Sequence, residues 1–182
     1  MADGLTTARL SQRRPVEGDV DAIYAIHRDP LACAHNPGDL LGSRAEAEQL
    51  YVRWDAHWQR YGHGYRVVRL LGEVDPIGSS GVIGFCGVKV MPLHGREVLN
   101  LLYRFAPAAW GNGYASEAAR AVVRWAAAHA PERPLIARIR PANTASIRVA
   151  TGAGLVRAAR LDTVGEDGLD WIFVTDWPTL VD

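Results

Sequence analysis

Apolar residues along this chain follow two rhythms, and their order predicts the elements. Helical spacing comes first: in "VEGDVDAIYAIH" Val16, Val20, Ile23, Tyr24 and Ile26 recur near a 3.6-residue period, Asp19 stands at the acidic N-terminal position, and Pro30 ends the segment. Ser43 with Glu46 three residues on forms a capping box that opens a second helix to about Tyr61, carrying Leu50, Tyr51, Trp54, His57 and Trp58. Shorter apolar runs read as strands. "LTTARLSQRRP" predicts one short strand ending at Pro15, and "YRVVRLL" and "GVIGFCGVKVM" predict two more joined by the turn residues of "GEVDPIGSS". "EVLNLLYRF" predicts the next strand. It runs into a helix whose Ala115, Ala118, Ala119, Val122, Val123 and Ala126 form one stripe, leaving Glu117, Arg120, Arg124 and His129 outside. Strand "PLIARIR", helix "NTASIRVATGAG", strand "LVRAARL" and a final strand "LDWIFVTDW" complete the order. The pattern is mixed α/β: helices and an antiparallel meander first, then two strand–helix–strand crossovers, Val98–Arg140 and Leu135–Arg160, for which right-handed packing is expected.

Composition narrows the class. The 182 residues are 48% hydrophobic and 22% charged, ordinary globular usage, and they suit one domain over 1–182. Lys plus Arg and Asp plus Glu both number 20, which argues against a nucleic-acid footprint. The N-terminus has no apolar leader core and no window suggests a membrane span. Cys33 and Cys86 have no metal-like spacing, so reduced buried thiols and a cytoplasmic address are expected, with no metal. The aromatic final strand would either line a homodimer seam or cover the sheet of a monomer.

The chemistry concentrates in "FAPAAWGNGYASEA". Gly111 and Gly113 can take positive φ and admit a ligand to the main chain, and the helix that follows offers free N–H groups and the positive end of its dipole, so the turn suits an anion. A Walker loop would need Gly-Lys-Ser/Thr, and the turn has no lysine. A dinucleotide fingerprint would need Gly or Ala where Ser116 stands and an acid at the end of the next strand, which reads "IARIR".

The stretch resembles the acetyl-CoA pyrophosphate turn of the Gcn5-related N-acetyltransferase (GNAT) superfamily, Gln/Arg-x-x-Gly-x-Gly/Ala, with Gly113 and Ala115 on the last two positions. Trp110 departs from Gln/Arg. It is similar, however, to the branch that acetylates ribosomal-protein N-termini at alanine, where A-P-x-x-W-G-x-G-Y-A-[ST]-E-A occurs. A second block, "NTASIRVATGAGL", resembles the later family motif through Asn143, Ser146, Gly154 and Leu155. The resemblance implies a mostly antiparallel twisted sheet of six to seven strands with about four helices, and a splayed parallel strand pair at the acetyl-CoA site.

It also implies roles. Trp110, Gly111, Asn112, Gly113, Tyr114, Ala115 and Ser116 would hold the pyrophosphate. Phe105 and Ala106 would pair their main chain with the pantetheine arm, Asn143 and Ser146 would meet that arm, and Arg148 or Arg140 would reach the 3′-phosphate. The family's frequent glutamate falls here on Asn100, which cannot take a proton but can orient the amine or a relaying water; Glu97, His27, His57 and His94 are the titratable alternatives. The family's tyrosine acid falls on Ala150, leaving Ser146 as the nearest hydroxyl. Tyr24, Trp54, Trp58, Tyr65 and Tyr103 are expected, with Asn100, to wall the acceptor pocket, although Trp and Tyr at helical spacing also serve as core. No acidic cluster is visible there to read a polycation. The implied reaction is direct acetyl transfer from acetyl-CoA to a primary amine, on a protein or peptide N-terminus. A small-molecule amine, or a CoA-binding module without turnover, are the alternatives.

Overall fold

A computed structural model describes residues 4–72 and 81–177. The first strand expected from the sequence is a hairpin instead, β1 (Leu5–Thr6) and β2 (Leu10–Arg13), because the Thr7 hydroxyl accepts the Leu10 N–H (3.1 Å) while the Thr7 N–H donates to the Leu10 carbonyl (2.9 Å). A 3-10 turn, Glu17–Asp19, leads into α1 (Val20–His27). Asp19 is buried there, accepting the Val16 N–H (2.8 Å) and both arms of the Arg13 fork (2.7 Å each). α2 (Arg44–Tyr61) starts at the Ser43–Glu46 capping box and stops at Gly62, whose φ of 70° is the left-handed cap.

β3 (Tyr65–Leu70), β4 (Val82–Leu93) and β5 (Arg96–Phe105) form the antiparallel meander. Most of the "GEVDPIGSS" turn, from Glu73 on, lies outside the described residues. Then come α3 (Tyr114–His129), β6 (Leu135–Ile139), α4 (Thr144–Gly152), β7 (Val156–Arg157), β8 (Thr163–Gly165) and β9 (Gly168–Val174). The sheet order is β1-β2-β3-β4-β5-β6-β9-β7 with β8 paired to β9, and its parallel pair is β5–β6.

Nine strands replace the six to seven expected, since arms of two or three residues are too short to show a period. The crossover expected to end on "LVRAARL" does return parallel to β6, but β9 is inserted between β6 and the two-residue β7.

Alternation along the strands divides the core between two faces. Leu99, Leu101 and Phe105 of β5 pack with Ala118, Ala119 and Val122 of α3 and Ala150 of α4, whereas Val67 and Phe85 pack with Ile23, Ile26 and Trp54 of α1 and α2. Both cysteines are free and buried. Trp171 of the final strand packs against the α3-side core beneath the Arg157 guanidinium. Among the described residues, no helix is long and apolar enough to cross a membrane.

One core residue sets a pH dependence. His27 is 3% exposed, lies against the rings of Trp54 and Phe85, and is lowered to a pKa of about 4, first by burial and then by Arg104. The unfolded chain takes up that proton near pH 6.5 and the folded one only near pH 4, so stability is lost as pH falls through this window. His27 is expected to contribute about 2.5 kcal/mol of the loss that urea unfolding registers between pH 7 and 4.5. His27→Gln should remove about half of the pH dependence, leaving the part from His63, which burial likewise lowers to about 4. An unchanged slope in that variant would refute the assignment.

Candidate functional site

The site exists because β5 and β6 pair only briefly. Leu99 registers with Leu135 and Asn100 with Ile136, after which the strands separate and a cavity of about 810 Å³ opens between them. At its mouth β5 ends at Ala106–Pro107, where proline cannot extend the ladder. The turn that follows is held by side chains: Trp110 Nε1 donates to the Phe105 carbonyl (2.9 Å) and Asn112 Nδ2 to the Trp110 carbonyl (3.0 Å).

Gly111 (φ 79°) and Gly113 (φ 77°) are left-handed, and α3 begins at Tyr114 without a side-chain cap. Among the described residues, the N–H groups of Gly111 to Ser116 have no acceptor. Orphan donors at a helix N-terminus are what a phosphate group satisfies. From behind, Arg9 Nη1 donates to the Asn112 carbonyl (3.0 Å) and the Arg9 guanidinium lies 4.8 Å over the Tyr114 ring. Arg9 also pairs with Glu117 (2.7 Å). Burial would raise the Glu117 pKa, but hydrogen bonds from Thr7 and Arg9 overcome it and hold the carboxyl below its usual range.

Most of the residues expected from the sequence meet in this cavity. Phe105, Trp110, Gly111, Gly113, Tyr114, Ala115, Ser116, Asn143, Ser146 and Arg148 line one part of it, and Tyr65, Asn100 and Tyr103 line it too. Asn143 Oδ1 caps α4 by accepting the Ser146 N–H (3.0 Å). Ala106 and Asn112 are absent from the lining: Ala106 is buried on the α1–α2 side, and Asn112 is turned into the loop.

Three expected pocket walls lie off the cavity. Trp54 is buried against His27, Tyr65 and Phe85, Trp58 is buried with its indole N–H on the Tyr65 carbonyl (2.8 Å), and Tyr24 stacks beneath Arg28. Their helical spacing served the core, with Tyr65 alone of the expected α1–β3 aromatics reaching the cavity.

Strand alternation separates the remaining groups. Tyr103 lies on the α4 side, where its hydroxyl donates to the Ser146 carbonyl (2.7 Å) and burial raises its pKa far above the usual range. Asn100 is on the opposite face beside Tyr65, whose pKa burial pushes up to about 12 with the Asn100 amide partly opposing. Asn100 Oδ1 is buried with no hydrogen-bond partner among the described residues. A buried acceptor without a donor costs about 1–3 kcal/mol, which an incoming N–H would recover.

The other titratable candidates are structural. His57 Nε2 accepts the Val90 N–H (3.0 Å), so its Nδ1–H donates to the His63 carbonyl (2.9 Å), the neutral tautomer. His94 contacts the Leu161 carbonyl and Glu97 pairs with Arg133. Ala150 is fully buried.

Charged lining residues went unrecognised in the sequence: Lys89, Asp39, Arg104, Arg138, Glu166, Asp167 and Asp170 all face the cavity. The expected absence of acids is therefore corrected, although Asp39 pairs with Arg104 (2.5 Å) and Asp170 with Arg138 (2.6 Å) and Arg140 (3.1 Å). The alternating arginines of "IARIR" were a usable signal. Their carboxylate partner on β9 was not, since it lies 32 residues further on.

Comparison with known proteins agrees with this geometry. Residues 9–156 match the acetyltransferase (GNAT) domain family. Over 152 residues the chain is 32% identical to the uncharacterized protein YkkB of Bacillus subtilis (strain 168), spanning 83% of this chain and 84% of that one. Among solved structures, RimL, a ribosomal L7/L12 alpha-N-protein acetyltransferase in complex with coenzyme A, superposes with a TM-score of 0.72 at 16% identity, over 94% of this chain and 98% of that one. AAC(6')-Ib in complex with ribostamycin and coenzyme A gives 0.70 at 18% identity, over 91% and 92%. At such identities these two likenesses concern the fold.

Proposed function

This chain belongs to the GNAT acetyltransferase family, and from that premise we propose that it moves an acetyl group from acetyl-CoA to a primary amine by direct attack, with the amine of a protein or peptide N-terminus as acceptor. The observation that carries the reading is the row of unpartnered N–H groups from Gly111 to Ser116 at the mouth of the splayed strands. Acetyl-CoA supplies the activated thioester; the residues of this chain bind it, aim it and hold the amine.

The turn takes the pyrophosphate, with the Ser116 hydroxyl as a further donor and Trp110 beside it. The main chain at Phe105 and the Asn143–Ser146 turn hold the pantetheine arm, while Ala106, whose N–H is taken by the Ile83 carbonyl, does not, and Arg148, exposed on α4, reaches the 3′-phosphate. Asn100 Oδ1 accepts an N–H of the amine and so orients its lone pair. The C–N bond forms as the C–S bond breaks, the amine gives up its proton to water, and the released thiolate takes one. On the α4 side, Tyr103 keeps its own proton at any ordinary pH and presents a hydroxyl next to Ser146. Position, more than acid–base strength, drives such a site, since a thiolate leaves readily.

A thiol-release assay with acetyl-CoA tests the reading across N-terminal peptides and small-molecule amines. Peptides are expected to be turned over best. Release with small amines only would move the acceptor to that class. CoA binding without release for any acceptor would overturn the reading in favour of a binding module.

A further inference from the structure

Acetyl transfer as described leaves one group of charges unused. Side chains on β6 alternate, so Arg138 and Arg140 share a face with Ile136, which registers with Asn100 across the parallel pair. Both guanidiniums line the cavity. Asp170, 2% exposed, lies between them: Arg138 Nε and Nη2 donate to its Oδ2 (2.9 and 2.6 Å), and Arg140 Nη1 is 3.1 Å from its Oδ1. One buried carboxylate thus serves two cations.

Asp167 does not make up the difference. It comes only to 3.8 Å of Arg140 and uses Oδ1 to accept the Gly38 N–H (3.0 Å). Among the described residues, Arg138 Nη1 has no acceptor, and Arg140 Nε is buried without one. Lys89, which registers with Asn100 from β4, lines the same cavity with no ion-pair partner among the described residues. Glu166 is the lining carboxylate without a cationic partner among them, and it is exposed on the β8–β9 turn, where water screens it. The arginine pair is also given room: a Cβ on Gly165 would lie 2.4 Å from Arg138 Nη2 and 2.6 Å from Asp170 Oδ2.

We propose that the acceptor is an amine that also carries a carboxylate, bound by Arg138 and Arg140 while Asn100 Oδ1 holds the amine. In a peptide, the carboxylate is an acidic side chain close to the N-terminus. The two partly desolvated guanidiniums have one carboxylate within hydrogen-bond range of both, with Asp167 only at the edge of ion-pair distance from Arg140, and a further carboxylate satisfies the N–H groups left open. A polyamine would find the acids Asp39 and Asp170 already held by arginines. The inference rests on the acetyl-transfer reading.

Three blocked tripeptides, Ala-Glu-Ala-NH2, Ala-Gln-Ala-NH2 and Ala-Lys-Ala-NH2, form the test. Turnover is read by thiol release, and binding to the CoA-loaded protein by calorimetry. The glutamate peptide should exceed its glutamine isostere about tenfold in kcat/KM, mostly through KM, with the lysine peptide weakest. Arg138→Gln should bring the first two within about threefold while CoA affinity stays unchanged, and Arg138→Lys, which keeps charge but not the fork, should fall between.

Equal handling of the glutamate and glutamine peptides by the unaltered protein, in both turnover and binding, would overturn the proposal and leave acetyl transfer standing. So would a preference that survives Arg138→Gln. A binding preference without turnover would support the anion site while counting against acetyl transfer to peptides.

Discussion

Gly113→Asp is expected to abolish CoA binding, with affinity reduced more than a thousandfold in calorimetry. Gly113 sits at φ 77°, where any Cβ is strained, and it forms the N-cap of α3 amid the open N–H groups. That strain costs about 1–2 kcal/mol of folding stability, in the free and the CoA-bound protein alike. The added carboxylate also stands where the pyrophosphate is proposed to sit: two like unit charges about 5 Å apart at an effective dielectric constant near 20 repel by about 3 kcal/mol. A pyrophosphate carries two such charges, so the repulsion by itself exceeds the roughly 4 kcal/mol that a thousandfold loss represents.

Gly113→Asn isolates the charge, since asparagine matches aspartate in shape and in its tolerance of the left-handed region but carries no charge. It should retain CoA binding within about tenfold. The substituted side chain has open space, its nearest neighbour being Arg9 Nη2 at 3.6 Å from the Cβ position, so the fold should survive both changes. Normal CoA binding by the aspartate variant would mean that the anion lies elsewhere.

Asp170→Ala is expected to be the most destabilising single change at the site. Removing the one buried carboxylate leaves Arg138 and Arg140 facing each other with side chains 29% and 10% exposed. Breaking a buried ion pair from one side costs about 3–5 kcal/mol, because the remaining charge stays desolvated. For a chain of this length that corresponds to a fall in Tm of roughly 10 °C.

Asp170→Asn keeps the shape without the charge and should lose nearly as much. A combined Asp170→Leu and Arg138→Met change removes both charges and should recover part of the loss, as apolar replacements of buried pairs do. A loss under about 1 kcal/mol for Asp170→Ala would show that solvent already neutralises the arginines.

These variants probe features of different legibility. The capping box at Ser43 and Glu46, the Asn143 cap and the left-handed glycines were readable because each depends on hydrogen bonds or steric limits within three or four residues. The alanine stripe of α3 was readable for a similar reason, a period fixed by helix geometry. The aromatic residues of α2 were ambiguous: a spacing that places Trp54 and Trp58 on one face does not say whether that face meets a cavity or the sheet, and it meets the sheet. The final strand was legible as "LDWIFVTDW", but its partner β8 went unseen because three residues carry no period, and with it the turn that brings Glu166 and Asp167 to the site.

Tyr103 shows the same division within one strand. Its place in β5 was legible, but its side of the sheet was not, and the hydroxyl points to α4 and away from the face that carries Asn100. The family, the order of nearly all elements and the left-handed glycine turn ahead of α3 could be read from the sequence, because all of them rest on short-range chemistry. Only the tertiary structure decided where β5 and β6 part and which charges line the gap, because Arg104 meets Asp39 and Arg138 meets Asp170 through a strand order and loop placement that no local interaction dictates.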